Sequence, residues 1–281
     1  MITIRVPMST SNLGPGFDCL GLALNGFNTY RFEANRKMEL VGFPKEIDNT
    51  SNLAYQVYID CYRKNNRPLF PVRITFLQEV PLCGGVGSSA TAVLASIIAY
   101  HAFVGETINR EELLLEALEY EHHPDNIAAA IYGGLTAAII TAQGVKVEKF
   151  TVNPEWKAML LIPNMSLDTT KSRSVLPKTI TLEDAVHNLG RGILIPEALK
   201  NGDEDLLASL LEDRWHEPYR LPLIEGAHAI IAYCRIRGIA CFLSGAGASL
   251  CVLTKRDISL SFEGWETRVY EVSPTGLSYE K

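Results

Sequence analysis

Val80-Pro81-Leu82-Cys83-Gly84-Gly85-Val86-Gly87-Ser88-Ser89-Ala90-Thr91 sets three glycines and two serines directly ahead of a long apolar run with helical character. Glycine has no Cβ, so its backbone can approach an anion with N–H groups turned inward, and the positive end of the following helix adds to the attraction. The stretch predicts a phosphate cradle, with a nucleotide as its ligand.

Three versions of such a cradle compete. A Walker A loop places a lysine after its glycines, but no Lys or Arg occurs between Val80 and His101. Gly85-Val86-Gly87-Ser88-Ser89-Ala90 fits a dinucleotide fingerprint with Glu106 about 20 residues on, yet Glu106 follows the helix-stopping Gly105 instead of ending a second strand. The third is a lysine-free loop whose charge is compensated by magnesium, with Ser88 or Ser89 as a hydroxyl ligand. The plainer alternative is that both serines merely cap a helix.

With 281 residues, 47% hydrophobic and 21% charged, the chain is long enough for one large or two medium domains and a sizeable core. A net charge of −6 without basic blocks argues against nucleic acid or an anionic membrane as partner, and for a small molecule. The longest apolar run, 92–104, is too short to span a bilayer, and no charged flank precedes an apolar signal core, so a soluble, cytoplasmic protein is expected. Cysteines 19, 61, 83, 234, 241 and 251 form no C-x-x-C pair and read as reduced thiols without structural zinc, Cys83 being a small loop residue before it is a redox-sensitive one.

Periodicity predicts strands over 1–7 and 20–25 around a polar turn at 9–16, β-like sequence over 28–40, a helix over 49–64 and a strand over 72–80. A helix over 90–104 follows, then one from the capping box at Asn109 to about Glu121 that Pro124 ends, a short helix over 126–132, and strands over 135–141 and 145–150. Asn153-Pro154-Glu155 marks a boundary near 153. Beyond it come a strand over 157–162, helices near 181–200, 204–214 and 225–237, and strands over 240–243 and 250–254.

If the cradle depends on magnesium, a carboxylate must help complete the oxygen shell. Glu121 is the best candidate, beside the polar cluster His122-His123-Pro124-Asp125-Asn126 at a junction between helices. Leu243-Ser244-Gly245-Ala246-Gly247-Ala248-Ser249 is a second glycine-rich turn, able to bring backbone close to a ligand or to the first loop.

Taken jointly, Ser9-Thr10-Ser11-Asn12-Leu13-Gly14-Pro15-Gly16-Phe17-Asp18, the run 81–90 and the run 244–249 resemble the three motifs of the GHMP kinase superfamily, in order and over nearly the whole chain. Within it, residues 12–18, His123-Pro124-Asp125-Asn126, Thr169 with Arg173 and Leu176-Pro177, and His216-Glu217-Pro218-Tyr219-Arg220 resemble the homoserine kinase family. Two departures stand out: Gly85-Val86-Gly87 for the usual Gly-Leu-Gly, and Ala248 where a proline is usual. Neither touches a presumed ligand side chain.

The resemblance implies an α+β fold of two domains, an N-terminal βα nucleotide-binding domain over 1–152 and a C-terminal ferredoxin-like α+β domain over 153–281. It implies ATP-dependent phosphorylation of L-homoserine, a step of threonine biosynthesis, with ATP held by Pro81, Leu82, Cys83, Gly84, Gly85, Val86, Gly87, Ser88, Ser89 and Ala90, and magnesium by Ser89 and Glu121. A homodimer through exposed strands of the second half is a further expectation.

Homoserine offers a carboxylate, an ammonium and a hydroxyl. Arg173 and Arg220 fit the carboxylate through bidentate guanidinium forks, Asp18 fits the ammonium, and Asn12, His123 and, by resemblance, Thr169 complete the pocket. Asn126 stands, by resemblance, where sister kinases place an aspartate base. An amide cannot accept that proton, so a base-free in-line transfer is expected, with Asn126, Glu121 and Ser89 as the catalytic group and Asp125 as the rival base. The alternatives are a kinase for mevalonate or a sugar, a catalytically dead relative that binds ligands, and a dinucleotide-dependent oxidoreductase.

Overall fold

The computed structural model describes residues 1–78, 80, 84–165 and 167–281; Pro81, Leu82 and Cys83 of the expected cradle lie outside the described residues. In chain order the elements are β1 (Ile2–Ser11), β2 (Leu20–Ala34), β3 (Glu39–Val41), α1 (Leu53–Lys64), β4 (Val72–Gln78), α2 (Ser88–Val104), α3 (Arg110–Ala117), α4 (Pro124–Tyr132), β5 (Leu135–Thr141) and β6 (Gly144–Phe150). They continue with β7 (Lys157–Pro163), α5 (Thr169–Ser174), α6 (Leu182–Gly192), α7 (Ile195–Asn201), α8 (Glu204–Leu210), α9 (Glu217–Arg220), α10 (Ala227–Ile236), β8 (Ala240–Leu243), β9 (Leu250–Thr254), β10 (Trp265–Glu271) and β11 (Ser278–Glu280).

Two sheets result, and the molecule is α+β as expected. The first runs β11-β1-β2-β4-β3, with β5 paired to the start of β2 and to β6; the second runs β10-β7-β9-β8 and is antiparallel throughout. Strands before residue 153 build the first sheet and later ones the second, except that β11 returns to pair with β1, Ile4 opposite Tyr279. One apolar cluster joins Met8, Leu13 and Leu22 to Trp156, Leu160 and Phe242, so the two halves share a core.

Sequence and structure part at several ends. β1 runs on to Ser11 where a polar turn is expected from residue 9, because Ser9, Thr10 and Ser11 are buried and bonded across the site. α2 begins at Ser88, and its residues 90–100 are all buried, as suits a helix apolar on every side. α4 starts at Pro124, not Asn126: proline is tolerated at the first helical position, where an N–H has no partner anyway. The expected 181–200 helix is two, since Pro196 lies in the first turn of α7. β10, β11, α5 and α9 carry no strong periodicity and were not expected. No helix among the described residues is long and apolar enough to cross a membrane.

Candidate active site

Gly84 and Gly85 are required by a neighbouring loop as much as by any anion. A Cβ on Gly84 would lie 2.3 Å from the Gly247 carbonyl oxygen, and one on Gly85, at φ +89°, 2.1 Å from that of Ser244. Ser249 N–H donates to Gly84 O at 3.4 Å, and the Ser244 hydroxyl donates to Gly85 O. The two glycine-rich turns read from sequence are thus interlocked. Gly87, left-handed at φ +68°, delivers the chain into α2, whose N-terminus faces outward from the buried helix body.

Around that N-terminus Thr91 donates its hydroxyl to Ser88 O at 2.7 Å and accepts from Asn28 Nδ2 at 3.1 Å and Tyr30 Oη at 3.0 Å. Since the one Thr91 proton goes to Ser88, the other two groups must be donors. Ser88 Oγ is buried without a partner among the described residues. Burial pushes the Glu121 carboxyl up, while the nearby Ser89 hydroxyl pulls it down. A cavity of about 240 Å³ opens beside these serines, lined by Tyr30, Phe43, Asn52, Phe76, Ser88 and Ser89.

A second cluster forms around Asp18, which sits at φ +56° in the turn after β1. Arg173 on α5 holds it with both outer nitrogens, at 3.0 and 2.8 Å. His123 Nδ1 lies 3.3 Å from Asp18 Oδ2, and Asn12 Oδ1 accepts the Asp18 N–H at 3.0 Å. Burial lowers the His123 pKa against the opposing pull of Asp18. Asn12 Nδ2 donates to Gly245 O at 2.8 Å, tying this turn to the 244–249 loop.

Arg220, 1% exposed at the end of α9, donates from Nε to Ser172 O at 3.2 Å and from Nη1 to Gly245 O at 3.3 Å. Its Nη2 has no partner among the described residues. Burial, then the charge of Arg173, lowers its pKa to about 10, so it remains cationic. Phe17 lies between the cations, its ring 5.4 Å from the Arg173 guanidinium and 5.2 Å from that of Arg220.

Asn126 connects the two clusters. Its Oδ1 accepts from Ser9 Oγ at 2.9 Å, and its Nδ2 donates to Ser11 Oγ at 2.9 Å and towards Asp125 Oδ1 at 3.3 Å. A Cβ on Gly87 would stand 3.1 Å from Asn126 Oδ1, so the amide abuts the end of the cradle. Asp125 is buried and accepts the Asn126 N–H at 2.7 Å; burial pushes its carboxyl up to about 6.

Of the residues picked out from sequence, Asn12, Asp18, His123, Arg173 and Arg220 thus share one cluster, and Ser89 lies near Glu121. Thr169 is exposed at the start of α5, one turn from Arg173 and on the same face. Sequence reasoning passed over Ser9, Ser11 and Phe17 as individual contributors; three consecutive hydroxyl residues continuing an alternating strand were the available signal. A larger cavity, about 630 Å³, shares Phe17 with the site but is lined by apolar groups such as Leu20, Phe150, Leu189, Ile193 and Trp215 and by neither Asp18 nor the two arginines. Its size does not mark the chemistry.

Residues 52–134 match the family model described as the GHMP kinases N terminal domain. A homoserine kinase of Clostridium botulinum (strain ATCC 19397 / Type A) is 35% identical over 289 residues, covering 98% of this chain and 97% of the relative. One of Moorella thermoacetica is 37% identical over 256 residues, covering 89% and 86%. Among solved structures, homoserine kinase from Cytophaga hutchinsonii superposes with a TM-score of 0.81 at 24% identity, covering 99% of this chain and 97% of that one. Mevalonate kinase from L. major, in complex with R-mevalonate, gives 0.70 at 14% identity, covering 96% of each chain.

Proposed function

The chain belongs to the homoserine kinase family of the GHMP kinases and transfers a phosphoryl group from ATP to L-homoserine; on that footing we propose that the transfer is in line and uses no side-chain base. The observation that carries this reading is Asn126, whose neighbours are the cradle's Gly87 on one side and, through His123 on the same helix start, Asp18 on the other. One lone pair of Asn126 Oδ1 is taken by Ser9, and the other is free to accept the substrate hydroxyl's hydrogen.

Asp18 receives the ammonium: each carboxylate oxygen has a second lone pair beyond the one Arg173 occupies. Arg220 Nη2, together with Arg173, receives the carboxylate. The hydroxyl oxygen then forms its bond to the γ-phosphorus as the bond to ADP breaks, and its proton passes to a phosphoryl oxygen. Positioning and charge neutralisation dominate such transfers, which is why an amide suffices.

The hydroxyl of Ser89 and the carboxylate of Glu121 are hard oxygen donors near each other, and Ser88 Oγ beside them is buried without a partner among the described residues, so the set fits a magnesium ion that also rests on phosphates and water. When bound, that ion neutralises charge on the transferring phosphoryl group. The aromatic-lined cavity next to Ser88 and Ser89 fits the base of the nucleotide. We assign nucleotide binding to 1–152 and the arginines of the substrate pocket to 153–281.

Asp125→Asn tests the absence of a base. With Asp125 at about 6, a base there would give kcat/KM an inflection near that pH. The proposal expects Asp125→Asn to keep kcat within about threefold and to leave the pH profile unchanged. A loss of about 10² or more in a folded enzyme, with the inflection removed, would make Asp125 the base.

A further inference from the structure

His216 lies at the start of α9, is 0% exposed, and has no part in the reaction derived above. Its Nε2 is 3.0 Å from Gly14 O, and its Nδ1 is 3.4 Å from Arg220 Nη1. The ring stacks on Phe17, centroids 5.0 Å apart and planes at 25°.

These neighbours fix the tautomer. A guanidinium only donates, so Nδ1 meets Arg220 with a lone pair; a backbone carbonyl only accepts, so Nε2 carries the hydrogen. The neutral Nε2–H form alone satisfies both. The charged groups facing the ring are Asp213, with Oδ2 3.7 Å from Nε2, Arg220 and, farther off, Asp18; burial and Arg220 lower the pKa and Asp213 opposes them. The Asp213 carboxylate is already committed to the N–H groups of His216 and Glu217, each at 2.7 Å, and to Asn188 Nδ2, so it caps α9 more than it charges the imidazole.

Gly14 begins the turn that ends in Asp18, and Arg220 Nη2 has no partner among the described residues. We propose that His216 is a positioning residue: its neutral ring bridges Arg220 to the 14–18 turn and so sets the distance between the cation and the carboxylate that receive the two charged ends of the amino-acid substrate. The proposal rests on the amino-acid pocket described under the proposed function. It locates the effect of His216 in substrate binding, apart from ATP binding and the chemical step.

The test is steady-state kinetics of the full-length enzyme and three variants. His216→Asn keeps an acceptor near the Nδ1 place and gives up Gly14; His216→Gln reaches the Nε2 place, keeps a donor for Gly14 and gives up Arg220; His216→Ala loses both. We expect His216→Ala to raise the homoserine KM about tenfold or more with the ATP KM within about twofold, and the two amides to recover it in part. Should the alanine variant fail to fold, Asn and Gln decide. Unchanged homoserine KM in folded variants, or equal rises in both KM values, would make His216 a packing residue and overturn the proposal. Absence of homoserine turnover by the unsubstituted enzyme would instead overturn the pocket reading and this inference with it.

Discussion

Arg173 holds Asp18 through both guanidinium arms, Nη1 to Oδ2 at 3.0 Å and Nη2 to Oδ1 at 2.8 Å, although the two residues are 155 positions apart. The pair joins α5 to the turn after β1 and presents one positive and one negative group side by side, the complement of a zwitterion. Lysine cannot reproduce the fork. Arg173→Lys is expected to raise the homoserine KM by about 10- to 100-fold, with the ATP KM little changed, measured by initial rates. Equal rises in both would show that the pair serves the fold alone.

Gly85 and Gly105 have similar backbone angles, φ +89° and +80°, in different surroundings. A Cβ at Gly85 would meet Ser244 O at 2.1 Å, and one at Gly105 would meet nothing within 4 Å. Gly105→Ala should therefore cost only the left-handed strain, about 1 kcal/mol, or roughly 2–4 °C in Tm. Gly85→Ala must also push the 244–249 loop away, and is expected to lose ATP binding together with at least about 2 kcal/mol. Thermal melts with and without nucleotide separate the two; equal small effects would contradict the interlocking of the loops.

Glu217 is buried against Asp213, and burial first, then that neighbouring charge, pushes its carboxyl up to about 8, while Leu243 N–H and Arg235 pull it down. The folded value is above the unfolded one of about 4.3, so the folded state holds more protons between them. Its contribution to stability is full below about pH 4.3 and is lost as the pH rises to about 8. Tm should fall with rising pH across that window, and Glu217→Gln should flatten the fall. Parallel profiles for the two proteins would contradict the assignment.

Ser89 and Glu121 are expected to act as one unit toward the metal. Ser89→Ala and Glu121→Gln should each raise the magnesium concentration needed for half-maximal rate, and the double variant should lose less than the product of the two losses. Multiplicative losses would place them in separate roles.

Much of this was legible in the sequence because turn chemistry is local. Glycines that must adopt positive φ, the capping box at Asn109, where the cap and Glu112 bond reciprocally, and the largely apolar α2 each need only a few neighbouring residues to be read. The Asp18–Arg173 pair could be named residue by residue, but not as a pair, since nothing in either segment encodes contact across the fold. Ser9 and Ser11 were missed for the same reason: a hydroxyl run looks like a turn until Asn126 arrives from α4 to satisfy it. β10 and β11 were missed because β10 is only partly buried and the three-residue β11 is exposed throughout, their pairing being decided by β7 and β1.

The most direct test of the account is ADP release with ATP and magnesium, offered homoserine, threonine, serine, mevalonate and galactose in turn, with a magnesium-free control. The account predicts magnesium-dependent turnover selective for homoserine. Turnover of mevalonate or galactose with none of homoserine would keep a kinase and contradict the roles given to Asp18, Arg173 and Arg220.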